Sequence, residues 1–180
     1  MKAIMISIQP RYVADILNGN KTLEIRKTLP KCDLPIDVYI YCTKDKKYAN
    51  LINRGGFLTG MVVAKFTLNK VEELCPVIKI ATNKAIMYRG KPNGIDNMPL
   101  LKQSCLTNEE LNAYLQLGGG YAWHIDNLVV FNKPKEIGEF YTTNLDKQLP
   151  ELFDNSIQLP NGTWVKPLTR APQSWCYVEI

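Results

Sequence analysis

Histidine is almost missing from this sequence: His124 is the single one in 180 residues. One imidazole cannot build a multi-histidine metal site, and the five cysteines (Cys32, Cys42, Cys75, Cys105 and Cys176) contain no C-x-x-C pair that could stand in for it. Their odd number and wide spacing also argue against a disulfide framework. No metal and no cofactor are therefore expected. Cys42 and Cys176 lie in β-like apolar segments and read as small hydrophobes in a reducing compartment.

Long apolar runs are lacking as well. The stretch Ala3 to Ile8 is shorter than a signal-peptide core and runs directly into Gln9, Pro10 and Arg11. No segment approaches the roughly 18 apolar residues of a membrane span. A cytoplasmic protein with no membrane partner is expected, and the sequence leaves its protein partners unknown. The glycosylation-like triplets Asn20-Lys21-Thr22 and Asn161-Gly162-Thr163 then read as local structure. Internal repeats and low-complexity linkers are absent too.

What is present fits an ordinary globular chain. Hydrophobic residues make up 46% and charged residues 22%, so a single domain over 1–180 can bury one sizeable core. The net charge of +5 is unevenly spread: residues 1–48 hold nine Lys/Arg against five Asp/Glu, and residues 49–180 hold thirteen against twelve. A basic N-terminal quarter concentrates anions around itself, and phosphate backbones are the commonest anions a cytosolic protein meets.

Periodicity supplies the elements. Lys2 to Ile8 reads as a strand; Pro10 then opens a helix whose Val13, Ile16 and Leu17 share a face, and Gly19 ends it in a left-handed cap. Thr22 to Arg26 alternates as a strand, with Leu23 and Ile25 toward the core and Thr22, Glu24 and Arg26 away from it. Val38 to Cys42, Phe57 to Leu68 (entered through Gly55-Gly56), Tyr121 to Phe131 and Ser174 to Ile180 read as further strands, with Lys133-Pro134-Lys135 as a break. Thr107-Asn108-Glu109-Glu110 matches a capping box, opening a helix with Leu111, Tyr114 and Leu115 as its apolar stripe and Gly118-Gly119-Gly120 as its stop. Residues 74–106 give no clear pattern, apart from a turn-rich loop at Gly90 to Gly94, and 144–173 read as loop. Strands separated by a few short helices, without βαβ alternation, predict an α+β barrel.

Chemistry concentrates at Gly19 to Lys27, where a helix end meets a strand and four charged residues, Lys21, Glu24, Arg26 and Lys27, fall within seven positions. Glu24 and Arg26 on one strand face offer a two-point polar site: the guanidinium takes phosphate, the carboxylate takes base or sugar donors. Lys21 at the turn adds a phosphate contact or a general base, and Arg11 and Lys27 extend the positive field. The alternative is a solvated strand face bearing an Arg–Glu pair. Trp123 and Trp175 are candidate stacking platforms for a base, or else fillers of a core. His124 is either a catalytic group or a structural hydrogen-bond partner. The run Lys44-Asp45-Lys46-Lys47 reads as a solvated basic loop.

Gly19, Lys21, Glu24 and Arg26 fill every fixed place of G-x-K-x-x-E-x-R, and in this the chain resembles the ASCH domain family, a branch of the PUA-like fold. Tyr121-Ala122-Trp123-His124-Ile125 and Ala171 to Tyr177 look like further ASCH-type segments. The resemblance implies a small PUA-like β-barrel with two or three short helices and a basic cleft that binds RNA, a nucleotide or a nucleoside. It also implies two enzymatic alternatives, with Lys21 and Glu24 as the candidate catalytic residues: a ribonuclease, in which Glu24 acts on a 2′-hydroxyl while Lys21 and Arg26 stabilise phosphorane charge, or an amidohydrolase acting on a modified cytidine, whose catalytic Lys stands at Lys21. In the amidohydrolase branch a Thr nucleophile stands where this chain has Glu24.

Overall fold

The apolar run after Met1 becomes β1 (Lys2–Ile8), buried from Ala3 onward on both faces. A strand with no wet face must be covered on both sides and paired along both edges. β1 is paired in this way, antiparallel to β12 (Trp175–Glu179) with Ile4 opposite Tyr177, and parallel to β3 (Ile36–Cys42) with Ile4 opposite Val38. The computed structural model describes residues 1–45, 59–78, 86–90, 97–116, 118–142 and 156–180. They fall into two compact units: Met1–Val13, Ile36–Phe66 and Leu128–Ile180 form the first, Ala14–Pro35 and Thr67–Asn127 the second.

The first unit is built on the larger sheet. Besides β1, β3 and β12 it contains β4 (Val62–Leu68), β8 (Asp126–Lys135), β9 (Tyr141–Thr142), β10 (Ile157–Gln158) and β11 (Trp164–Pro167), in the order β10-β11-β9-β12-β1-β3-β4-β8. Ala3, Met5, Tyr39, Tyr41, Val62, Phe140 and Val178 form its core, and the rings of Tyr39 and Phe140 meet edge-on at 5.0 Å. Cys42 is buried there, and desolvation pushes its thiol up to about 12, so it is a neutral space-filler as the sequence suggests.

The mixed α+β character expected from the sequence is present, but the barrel is not. Among the described residues the larger sheet is open, with β10 at one end and β8 at the other. The last of these shows why an edge is tolerated: Pro134 has no N–H to offer a neighbour and Lys133 beside it is exposed. The Lys133-Pro134-Lys135 segment thus lies inside β8 instead of interrupting a strand. At the other end Leu159, Asn161 and Thr163 close the β10–β11 turn, with Leu159 N donating to Thr163 O at 2.9 Å and Thr163 N to Asn161 Oδ1 at 3.0 Å. The glycosylation-like triplet there is a hairpin turn, and the stretch read as loop contains two short strands.

The second unit carries the smaller sheet, β2 (Leu23–Arg26), β7 (Gly120–His124), β5 (Val71–Ile78) and β6 (Ile86–Gly90), antiparallel throughout in the order β2-β7-β5-β6. The long strand expected over Tyr121 to Phe131 is two strands: β7 belongs to this sheet and β8 to the larger one, and Asn127 just inside β8 takes a left-handed φ of 48°. Besides α1 (Pro10–Leu17), through which the chain passes from the first unit to the second, there are α2 (Asn97–Ser104) and α3 (Asn108–Leu115). Leu100 of α2 and Leu111 and Leu115 of α3 pack on Leu23, Ile25, Leu74 and Ala122. The turn formers at 91–94, the Gly55-Gly56 turn and Lys46-Lys47 lie outside the described residues.

The capping box expected before α3 is formed in both directions. Glu110 N donates to Thr107 Oγ1 at 3.2 Å, and Thr107 N donates to Glu110 Oε2 at 3.0 Å. Thr107→Ala is expected to cost about 1 kcal/mol in urea-induced unfolding; an unchanged midpoint would show that the box contributes nothing. The helix stops two residues before the glycine triplet, at Gln116 in the left-handed region, whose N–H donates to Asn112 O at 2.8 Å. Gly120 serves close packing instead: a Cβ there would stand 2.6 Å from Leu115 Cδ2 and 3.2 Å from Arg26 O.

Candidate functional site

The G-x-K-x-x-E-x-R segment begins at the end of α1. Gly19 has φ +73° and its N–H donates to Ile16 O at 2.9 Å, while Asn20 N donates to Asp15 O at 2.9 Å, the paired bonds of a Schellman cap. Lys21 N donates to the same Asp15 carbonyl at 3.0 Å. The turn thus fixes the backbone from which the lysine side chain leaves. Thr22 N donates to Gln103 O at 2.8 Å and Lys21 Nζ to Ser104 O at 2.7 Å, so two otherwise unmet carbonyls at the end of α2 are satisfied by this segment. A helix C-terminus carries partial negative charge, which suits an ammonium placed there.

β2 then sets the acid and the second cation. Its register pairs Leu23 with His124, Glu24 with Trp123, Ile25 with Ala122 and Arg26 with Tyr121. Directly opposite residues share a face, so Glu24 and Arg26 lie on the Trp123 side and Leu23 and Ile25 on the side of the leucine core. Lys21 Nζ is 3.1 Å from Glu24 Oε2 and Arg26 Nη2 is 2.9 Å from Glu24 Oε1. One carboxylate is held between two cations, one on each oxygen. All three residues are buried, at 3%, 7% and 7% exposure for Lys21, Glu24 and Arg26. The sequence reading placed Glu24 and Arg26 with Thr22 on a face turned away from the core; Thr22 is exposed, but β2 is buried along both faces. The solvated strand face weighed as an alternative is therefore overturned.

Exposed groups adjoin this array. Tyr114 of α3 is 38% exposed, and its phenol feels the charges of both Arg26 and Glu24. Burial raises the phenol above its ordinary value, and the charge of Glu24 acts in the same direction while Arg26 opposes. Lys27, also exposed, carries its ammonium 5.3 Å from the centre of the Tyr114 ring. Cys105, left-handed at φ 52° just past α2, has its thiol raised by burial and by Asp15, with Lys21 opposing. Tyr114 escaped the sequence reading as a site residue. Its place in an i, i+3, i+4 stripe marked it as core, and only its proximity to Arg26 shows otherwise.

The structure therefore brings Lys21, Glu24, Arg26 and Lys27 together in the second unit. Trp123 stands opposite Glu24 but is 0% exposed, so its ring fills the interior and offers no face to a base, which corrects the stacking role considered for it. His124 lies on the other face of the sheet from Glu24. Its Nε2 is 2.9 Å from Glu72 Oε1, which Lys70 Nζ approaches at 2.6 Å, so it is a hydrogen-bonded partner in a side-chain cluster of its own. Arg11 and Trp175 belong to the first unit. Arg11 is exposed, hydrogen-bonds the Tyr12 hydroxyl and lies 4.2 Å over the Tyr12 ring; Trp175 is half-buried with its ring edge-on to Tyr177 at 5.6 Å.

No helix among the described residues is long and apolar enough to cross a membrane. No protein-family model matches the sequence, and no curated protein matches it. Solved structures do. An ASCH protein from Zymomonas mobilis superposes with a TM-score of 0.55 at 16% identity, over 98% of this chain and 87% of that one. A variant of that protein with a tyrosine changed to phenylalanine gives 0.55 at 15% identity over 99% and 91%, and one with a serine changed to alanine gives 0.54 at 15% over 98% and 88%. Elements from both units fall within that alignment, and the fold of this chain is that of the ASCH proteins.

Proposed function

We propose that the chain is a member of the ASCH family, a single PUA-like domain over 1–180, and that it binds RNA or a nucleotide-like ligand through Lys21, Glu24, Arg26 and Lys27. The observation that carries this reading is the buried array itself, in which two cations face one carboxylate at 3.1 and 2.9 Å. As a stability device such an array is poor, since desolvating three charges offsets most of their attraction, and apolar residues of the same size would serve a core at least as well. As a recognition device it is well made. The charges are preorganised on a capped turn and a strand, so an anion meets cations already held in place.

Lys27 and Tyr114 supply the exposed approach, a phosphate contact and an aromatic face beside Arg26. The bridging of Glu24 supports binding over hydrolysis. Both its carboxylate oxygens are already paired, which leaves it poorly placed to take a proton from a 2′-hydroxyl, and it stands where the amidohydrolase branch has its hydroxyl nucleophile. A labelled single-stranded RNA titrated at rising salt reads the phosphate contacts directly. Two or three of them give a slope of log K against log salt of about −1.4 to −2. Affinity indifferent to salt would remove the phosphate contacts from this reading.

A further inference from the structure

The first unit holds a hollow of about 580 Å³ to which the preceding reading assigns nothing. That volume suits a ligand of mononucleotide size. Thr142 of β9 and Lys166 of β11 are directly opposite in register, so both side chains leave the same face of the sheet at its wall. Beyond β11 the chain adds Thr169, Arg170 and Gln173 to the lining. The hollow thus has two cationic residues and three uncharged hydrogen-bonding ones, and none of the described residues lining it is acidic.

Its apolar side is anchored. Leu168, Ala171 and Cys176 pack against the core around Tyr39 and Phe140. Leu168 N donates to Phe140 O at 2.7 Å, Ser7 Oγ donates to Pro172 O at 2.7 Å and Ser7 N to Ser174 O at 2.9 Å, which ties the segment down on both sides of Arg170. Pro167 and Pro172 fix two further backbone torsions. A lining held in this way need not be ordered by its ligand, so little binding energy is lost to entropy.

We propose that this hollow binds a phosphomonoester of mononucleotide size, the phosphate against Lys166 and Arg170 and the organic body against Leu168, Ala171 and Pro172. The charge favours phosphate over carboxylate. A phosphomonoester carries about −1.5 to −2 at neutral pH and presents three acceptor oxygens, so it can meet a lysine and an arginine at once, whereas a carboxylate brings one charge and two oxygens. Such a group can come from a free nucleoside 5′-monophosphate or from the 5′-phosphorylated end of an RNA.

Calorimetric titration of uridine 5′-monophosphate, adenosine 5′-monophosphate, the two nucleosides and a pentaribonucleotide with and without a 5′-phosphate tests this, on the unaltered chain and on Arg170→Glu and Lys21→Met. Arg170 is exposed, so its replacement leaves the core untouched, and melting curves verify this. The expected result is saturable binding that weakens about tenfold on loss of the phosphate or on Arg170→Glu, and the tenfold gain from the phosphate is kept in Lys21→Met whatever that variant does to affinity for the RNA itself. Binding of the free monophosphates identifies a metabolite as the source; binding confined to the 5′-phosphorylated pentamer identifies an RNA end. Three results overturn the proposal: no binding by either source at about 10 mM ligand, affinity unchanged by Arg170→Glu, or affinity lost only in Lys21→Met. The last would move the ligand to the Lys21 array and leave that reading standing.

Discussion

Glu24→Gln is expected to lower the free energy of unfolding by about 3–5 kcal/mol, because it leaves two buried cations without the carboxylate between them. Lys21 Nζ keeps its bond to Ser104 O, but Arg26 and Lys21 then repel each other where their burial leaves little water to screen them. The melting temperature should fall by about 6–20 °C. The contrast is with the exposed pair of Lys135 and Glu139, also close at 3.0 Å, where solvent screens both charges and Lys135→Met should cost at most about 0.5 kcal/mol. Urea denaturation of the two variants side by side separates burial from mere proximity. A Glu24→Gln loss no larger than that of Lys135→Met would mean that the array is solvated.

Trp123→Ala should cost about 3–5 kcal/mol, the range for emptying a fully buried aromatic site. The same position distinguishes packing from recognition. Trp123→Phe retains much of the volume and should bind RNA within about twofold of the unaltered chain, whereas removing a stacking platform costs about 1–3 kcal/mol of binding per base. Anisotropy of a labelled RNA decides between them, and a Trp123→Phe protein that folds normally yet loses RNA would return the indole to the binding surface. Tyr114, exposed and with the Lys27 ammonium 5.3 Å from its ring centre, is the aromatic that the geometry offers in its place.

The parts of this structure readable in the sequence are those governed by neighbours in the chain. Gly19 stops α1, Thr107 and Glu110 cap α3, and Lys2 to Ile8 forms β1, because caps and strand periodicity act over a few residues. The charged residues at positions 21, 24 and 26 were legible by the same token. Their burial was not: alternation assigns one wet face to a strand, and what covers the second face of β2 is decided by distant parts of the chain. The division of Tyr121 to Phe131 between two sheets had no local signal stronger than a continuous β-rich composition. The open order of the larger sheet depends on which strands find each other, a matter of long-range pairing. The hollow beside Arg170 is walled chiefly by the continuous segment 166–173, which reads as loop in the sequence, with Thr142 and Cys176 brought to it by the sheet.

Equilibrium binding of single-stranded RNA to Arg26→Gln, measured at a temperature where circular dichroism shows both proteins folded, asks whether the array grips an anion or merely fills space. Losing one charge-assisted bond should weaken binding about tenfold or more. A folded Arg26→Gln protein that binds RNA as tightly as the unaltered chain would contradict the assignment of this site.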